Sequence, residues 1–171
     1  LQTFLSFLNP EEALAKGKVE GSFVILNPYS ASGLVADIDI KDFQVMSNPL
    51  GTLTLGASSK SLSEYDFDLA LKDGAANLTL TGDYSAKETS ADLNMELDIQ
   101  KLEASIIQGF AKDQLTNAKG YIDGNLLLRG TLSEPKYSGR LNFNDFGLSL
   151  SSYKTTLEIN NQAIDINQDE I

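Results

Sequence analysis

The chain has 171 residues, a formal net charge of −11 and a pI near 4.3, and it contains neither cysteine nor histidine. The acidic balance argues against binding nucleic acid or docking on anionic lipid headgroups, because both need clustered Lys and Arg. Without Cys there are no disulfides, thiol nucleophiles or thiolate metal sites, and without His the commonest general base and zinc ligand are gone.

No run approaches the roughly 20 apolar residues of a membrane-spanning helix, and no signal peptide is present. The sequence opens on Leu1 and stops mid-pattern at Asp169-Glu170-Ile171, which reads as a segment of a longer chain.

Leu1, Leu5 and Leu8 are spaced for a short helix over 1–16. Asn9-Pro10-Glu11-Glu12 follows with the chemistry of a helix start, and Gly17 sits where a helix stop belongs. Beyond it the dominant signal is alternation. Ala36, Ile38 and Ile40 alternate with Asp37, Asp39 and Lys41, and Tyr65, Phe67, Leu69 and Leu71 alternate with Asp66, Asp68, Ala70 and Lys72. The longest run sets Ala91, Leu93, Met95, Leu97 and Ile99 against Asp92, Asn94, Glu96, Asp98 and Gln100. A period of two places the two sets on opposite faces of a strand, one apolar and one wet. That pattern belongs to antiparallel sheets, since parallel ones are covered on both faces.

About ten strands are predicted, near 18–27, 33–46, 51–58, 64–72, 76–85, 89–101, 120–132, 137–144, 146–159 and 162–167. The ninth has a potential break at Ser151-Ser152. Lys72-Asp73-Gly74, Ser133-Glu134-Pro135 and Asn160-Asn161 are predicted turns of a meander. A second helix is expected over 102–117, where Leu102, Ile106 and Phe110 recur four apart. Both helices are read as plugs covering a sheet edge or end, with a partial lid as the alternative.

An internal repeat links the two halves. A shift of 103 residues sets Gly17-Lys-Val-Glu-Gly21 on Gly120-Tyr-Ile-Asp-Gly124 without a gap. The same shift sets Asp42-Phe43 on Asp145-Phe146 and Phe7 on Phe110. Such repeats indicate a solenoid-like object that grows by adding units. The expected organisation is a first repeat over 1–101, a helix plus about six strands, and a second, incomplete one over 102–171 with a helix and about four strands, in one continuous unit.

The run Gly120-Tyr-Ile-Asp-Gly124-Asn-Leu-Leu-Leu-Arg-Gly130-Thr131-Leu132-Ser-Glu-Pro135-Lys-Tyr-Ser-Gly139-Arg-Leu141-Asn-Phe143 resembles the TamB/AsmA-like family. There a short helix precedes a glycine-spaced strand, a G-T-L-x-x-P turn and a strand of the form x-G-x-L-x-F. Phe146 to Asn161 is similar to the next hairpin in members from Bacteroidetes-type bacteria. The match is specific over 120–167, weaker over 1–46 and generic over 50–101. The resemblance implies an all-β fold with short helices, an antiparallel meander curled into an elongated, open, taco-like groove with an apolar interior. It also implies a periplasmic parent protein anchored in the inner membrane. The implied function is phospholipid transport between inner and outer membrane, with assembly of envelope proteins beside an Omp85-type outer-membrane barrel. The implied partners are phospholipid acyl chains and that barrel. The acidic charge argues against a nucleic-acid partner, and the lack of His, Cys and a catalytic constellation against an enzyme; no cofactor is expected.

The residues expected to line the groove are Ile38, Ile40, Leu53, Leu55, Phe67, Leu69, Leu78, Leu80, Leu93, Met95, Leu97, Leu126, Leu128, Leu141 and Phe143. The same alternation also fits the core of a closed sandwich, and the alternative reading is a structural or adhesive β-solenoid with a closed apolar core and no ligand. Other motifs read as ordinary surface. Asp37, Asp39 and Asp42 offer oxygen ligands but lack the glycine-bearing loop that wraps calcium, and Glu96 and Asp98 read as a solvated face. Ser133 to Lys136 and Ser151 to Lys154 match Ser-x-x-Lys without the helix start and further motifs of β-lactamase-like enzymes. Gly17, Gly21, Gly120 and Gly124 lack the context of a phosphate loop and mark bends or close backbone approach. Asn77-Leu-Thr79 is a glycosylation pattern placed in mid-strand.

Overall fold

The computed structural model describes residues 15–26, 33–46, 48–87, 90–111, 114–131 and 134–167. They form a single antiparallel sheet of ten strands and one short α-helix. The strands are β1 (Ala15–Leu26), β2 (Gly33–Val45), β3 (Asn48–Ser59), β4 (Glu64–Lys72), β5 (Ala76–Ala86) and β6 (Ala91–Glu103). Helix α1 (Ala104–Phe110) follows, then β7 (Leu115–Thr131), β8 (Pro135–Leu150), β9 (Thr155–Ile159) and β10 (Gln162–Asn167). From β1 to β8 each strand pairs with the next. The sheet is open: β1 is one edge, β9 and β10 share the other, and the two edges do not meet. A core closed on itself is therefore not what these residues build.

Four sequence expectations change. The start of the chain lies outside the described residues, but Ala15 to Gly17 belong to β1 rather than to a helix and its stop, because Ala15 pairs with Val45 and is buried. The second helix shrinks from 102–117 to Ala104–Phe110. Leu102 is held in β6 by Ala76 and Ile122, and Leu115 begins β7 opposite Leu150. Pairing on both sides overrides the four-residue spacing, and seven residues give a helix too short to stand without packing. Finally, β8 runs through the expected break between 144 and 146, and a 3₁₀ turn at Ser151–Tyr153 ends it. Asn160-Asn161 is not a hairpin turn. β9 lies along Phe146 to Leu150 and β10 along Ser138 to Phe143, so the two form one interrupted edge strand against β8.

The two hairpins related by 103 residues pair alike. Val19 lies opposite Ile40 as Ile122 lies opposite Phe143, and Leu26 opposite Gly33 as Arg129 opposite Lys136. Gly21 opposes Ile38 and Gly124 opposes Leu141. The glycines are needed there. A Cβ on Gly21 would stand 2.3 Å from the Asp37 carbonyl oxygen, and one on Gly124 2.1 Å from that of Arg140. Asp42 and Asp145, also equivalent, both take a left-handed backbone with φ of 53° and 45°. The Glu20–Lys41 ion pair at 2.9 Å is replaced in the second hairpin by Asp123 accepting from Asn144 Nδ2 at 2.5 Å.

The core sits at one end of the strands. Register shifts interrupt β2 after Ile40 and β6 after Ile99, at the same level of the sheet. Bulges bend strands, and beyond this level the apolar face meets α1. Ile106 packs with Leu50, Leu71 and Ala76 in one cluster, and Ala104 with Ile122, Phe146 and Leu148 in another. Phe143 and Phe146 meet edge to face at 5.3 Å in the second cluster. Asn48 approaches α1 so closely that a Cβ on Gly109 would lie 2.0 Å from its Oδ1. No helix among the described residues is long and apolar enough to cross a membrane.

Candidate functional site

Cross-strand partners share a face, so the register assembles the candidate surface row by row. Ile38, Leu55, Leu69, Leu80, Leu97 and Leu126 form an unbroken rung from β2 to β7. Toward the helix, the next rung holds Ile40, Leu53, Leu71, Leu78, Ile99, Gly124 and Leu141. Away from it lie Ala36, Ala57, Phe67, Gly82, Met95, Leu128 and Tyr137, then Tyr65, Tyr84 and Leu93. No charged residue interrupts these rungs. The Asp and Glu partners of the alternation occupy the opposite face.

The fifteen expected lining residues thus share one face, but they divide by environment. Ile40 is only 5 % exposed. Leu53 and Leu78 pack against the cluster of Leu50, and Leu141 and Phe143 against that of Phe146. Leu53, Leu78, Leu141 and Phe143 belong to the core that α1 closes, whereas Ile40 is buried outside both clusters. Ile38, Leu55, Phe67, Leu69, Leu80, Leu93, Met95, Leu97, Leu126 and Leu128 remain half-buried, with no second layer over them among the described residues. Around Leu80, Met95, Leu97, Leu126 and Leu128 the face dips into a concavity of about 400 Å³, which Tyr137 and Ile166 help to line. That volume falls in the range of small-molecule sites, roughly 300 to 1,000 Å³. Tyr137 and Ile166 were missed as lining residues. The alternation of Ile164 and Ile166 with Asp165 carries the signal, but only register shows that Ile166 faces Gly139, beside Leu126.

Gly82 shapes this floor. Its neighbour across β4 is Phe67, whose ring tip would lie 3.0 Å from a Cβ at position 82. The missing side chain lets the Phe67 ring lie over β5.

Charge is kept to the other face and the rims. Lys18 donates to Asp42 at 2.8 Å and Lys41 to Glu20 at 2.9 Å, tying β1 to β2. The hydrogen bond and charge of each lysine hold the carboxyls of Asp42 and Glu20 below their ordinary values, and the same contacts raise both lysines. Lys60 meets Asp66 at 2.7 Å and Lys101 meets Glu103 at 2.7 Å; the latter bond lowers the Glu103 carboxyl. Exposed pairs of this kind add little stability. Among the described residues no three acidic side chains converge as ligands for a metal. Asp42 is engaged by Lys18, and Asp37 and Asp39 stand on the polar face opposite Gly56 and Thr54. Lys154 carries a left-handed φ of 50° after the Ser151 turn, and Ser133 lies outside the described residues.

What this arrangement offers is a floor of branched aliphatic and thioether groups able to hold an apolar chain by contact. Comparison with family models, curated proteins and solved structures finds no match to this chain.

Proposed function

We propose that this chain is a lipid-handling β-groove segment, its apolar rungs taking up phospholipid acyl chains. The observation that carries the reading is the uncharged rung from Ile38 to Leu126, left half-open on a sheet that does not close. Six strands at a spacing of about 4.8 Å make the rung roughly 24 Å long. A single leaflet of hydrocarbon is about 15 Å thick, half of a ~30 Å bilayer core, so an acyl chain laid across the strands finds apolar contact along its length. Each CH₂ taken from lipid into water costs about 0.8 kcal/mol, and a continuous apolar floor removes most of that barrier without any chemical step.

The resemblance of 120–167 to the TamB/AsmA-like family gives this reading its setting. The parent is a periplasmic, inner-membrane-anchored bridge whose sheet curls into an elongated taco-like groove. It conducts phospholipid to the outer membrane, and an Omp85-type barrel is its outer-membrane partner. The two hairpins of matched register support growth by repetition, as such a bridge requires.

The test is transfer of a fluorescent phospholipid from donor to acceptor vesicles by the purified chain, compared with a Leu69→Asp, Leu80→Asp double variant. These residues are direct cross-strand partners, so the change sets two carboxylates about 5 Å apart in the middle of the rung. Both carboxylates keep access to water, so the fold survives while transfer falls at least tenfold. Equal transfer by a folded double variant would place the lipid path elsewhere or remove it.

A further inference from the structure

We infer that the free edge of β1 is a strand-docking site whose occupant is an extended segment of the β6 kind. Such a segment alternates apolar and polar residues, runs antiparallel to β1, and takes the register that β6 takes on β7.

The repeat supports this site independently of any lipid. The β1–β2 and β7–β8 hairpins have equivalent registers from Lys18 opposite Lys41, matched by Tyr121 opposite Asn144, to Leu26 opposite Gly33, matched by Arg129 opposite Lys136. They share the glycine contacts at 21 and 124 as well. β7 has a neighbour on its other edge: Leu97 lies opposite Leu126, Ile99 opposite Gly124 and Leu102 opposite Ile122. The β1 residues at these three positions are Phe23, Gly21 and Val19, of the same apolar or glycine character. Among the described residues β1 pairs with β2 alone.

Ile122 is covered by Leu102 of β6 and Ala104 of α1, and neither has a counterpart over β1 among the described residues. Ile122 is 8 % exposed, whereas its counterpart Val19 is 50 % exposed and Phe23 is 63 % exposed. Val24, Ile25 and Leu26 extend the exposed apolar stretch. Among the described residues this twelve-residue edge has no strand on its outer side, and an edge with such side chains is a template for another strand; strand addition joins main-chain hydrogen bonds to side-chain selection. The chain's opposite edge does not fit it. β9 and β10 run in the same direction as β1, so a second copy stacked through that edge would pair in parallel, unlike every pair in this sheet.

The experiment titrates the intact chain into a fluorescein-labelled peptide of residues 91–103, read by anisotropy and by hydrogen exchange. The expected result is saturable binding, with new amide protection confined to 15–26 and β7 protection unchanged. A scrambled peptide that breaks the alternation does not bind. Phe23→Lys, a change on an exposed side chain that leaves the circular dichroism unaltered, weakens binding at least tenfold. Absence of saturable binding, or protection appearing at β7 instead, overturns the inference. So does a chain already dimeric through β1 in sedimentation, since the occupant is then a second copy. Lipid transfer is measured separately and can fail or succeed without affecting this result.

Discussion

Truncating one apolar residue under α1 and one on the open rung separates a covered face from an uncovered one. Ile106 is 7 % exposed and packs on Leu50, Leu71 and Ala76. Ile106→Ala removes a buried branched side chain and leaves a cavity between helix and sheet, a loss of about 2–4 kcal/mol. Leu97 is half-buried and borders the concavity. Leu97→Ala forfeits about half the transfer free energy of a leucine, roughly 1 kcal/mol, with no new cavity because the space already opens to solvent. For a chain of this size about 2–4 °C of Tm corresponds to 1 kcal/mol, so the expected falls are about 10 °C and about 3 °C. Urea unfolding with unchanged m-values is the assay. A Leu97→Ala cost equal to that of Ile106→Ala would mean a second layer covers the rung, and the open-face argument would fail. A cost under about 0.5 kcal/mol at Ile106 would instead mean α1 is not seated on the sheet.

Gly124→Ala should destabilise the β7–β8 hairpin by about 2 kcal/mol or more, because φ is +142° and the new Cβ meets the Arg140 carbonyl; thermal melts read it, and wild-type stability would refute the close approach. Asp123→Ala removes the acceptor of Asn142 at 2.7 Å and of Asn144, for a combined loss of about 1–2 kcal/mol in chemical denaturation. Acid should loosen β1 more than the strands without such pairs, but only slightly, because the two pairs that tie it to β2 are exposed. The carboxyls of Asp42 and Glu20 are lowered by their lysines, so their contribution is present above their ordinary values of 3.8 and 4.5 and is lost as pH falls through the lower folded values. Hydrogen exchange over 15–26 at pH 7 and pH 3 measures this, and uniform loosening of all strands would contradict it. At the other end, Lys18 and Lys41 are raised, so their share persists below 10.5 and disappears only as pH climbs through the higher folded values.

Much of the sheet was legible because its alternation is strict. Tyr65 to Leu71 and Ala91 to Ile99 assign their own faces, and the predicted 64–72 and 162–167 coincide with β4 and β10. The glycine-spaced repeat was legible because a close backbone approach admits no side chain at 21 or 124. Other features depend on partners remote in sequence. The spacing of Leu102, Ile106 and Phe110 matches a helix, yet Leu102 is claimed by Ile122 and Phe110 is left 43 % exposed. Ala104, fully buried, gave no hydrophobic signal because it is small. Asn160-Asn161 has the chemistry of a turn, and Asn161 does take a left-handed φ of 49°, but β8 continues past it and makes it an interruption in an edge strand. Whether the apolar face was covered was illegible in principle, since alternation is the same under a second layer or beside an open concavity.

Acyl chains held on the rung from Ile38 to Leu126 should survive purification from bacteria and be seen by native mass spectrometry with lipid extraction. The expected result is bound phospholipid that is absent from the folded Leu69→Asp, Leu80→Asp variant. A lipid-free chain that also excludes hydrophobic dyes would contradict it and return the apolar face to a purely structural role.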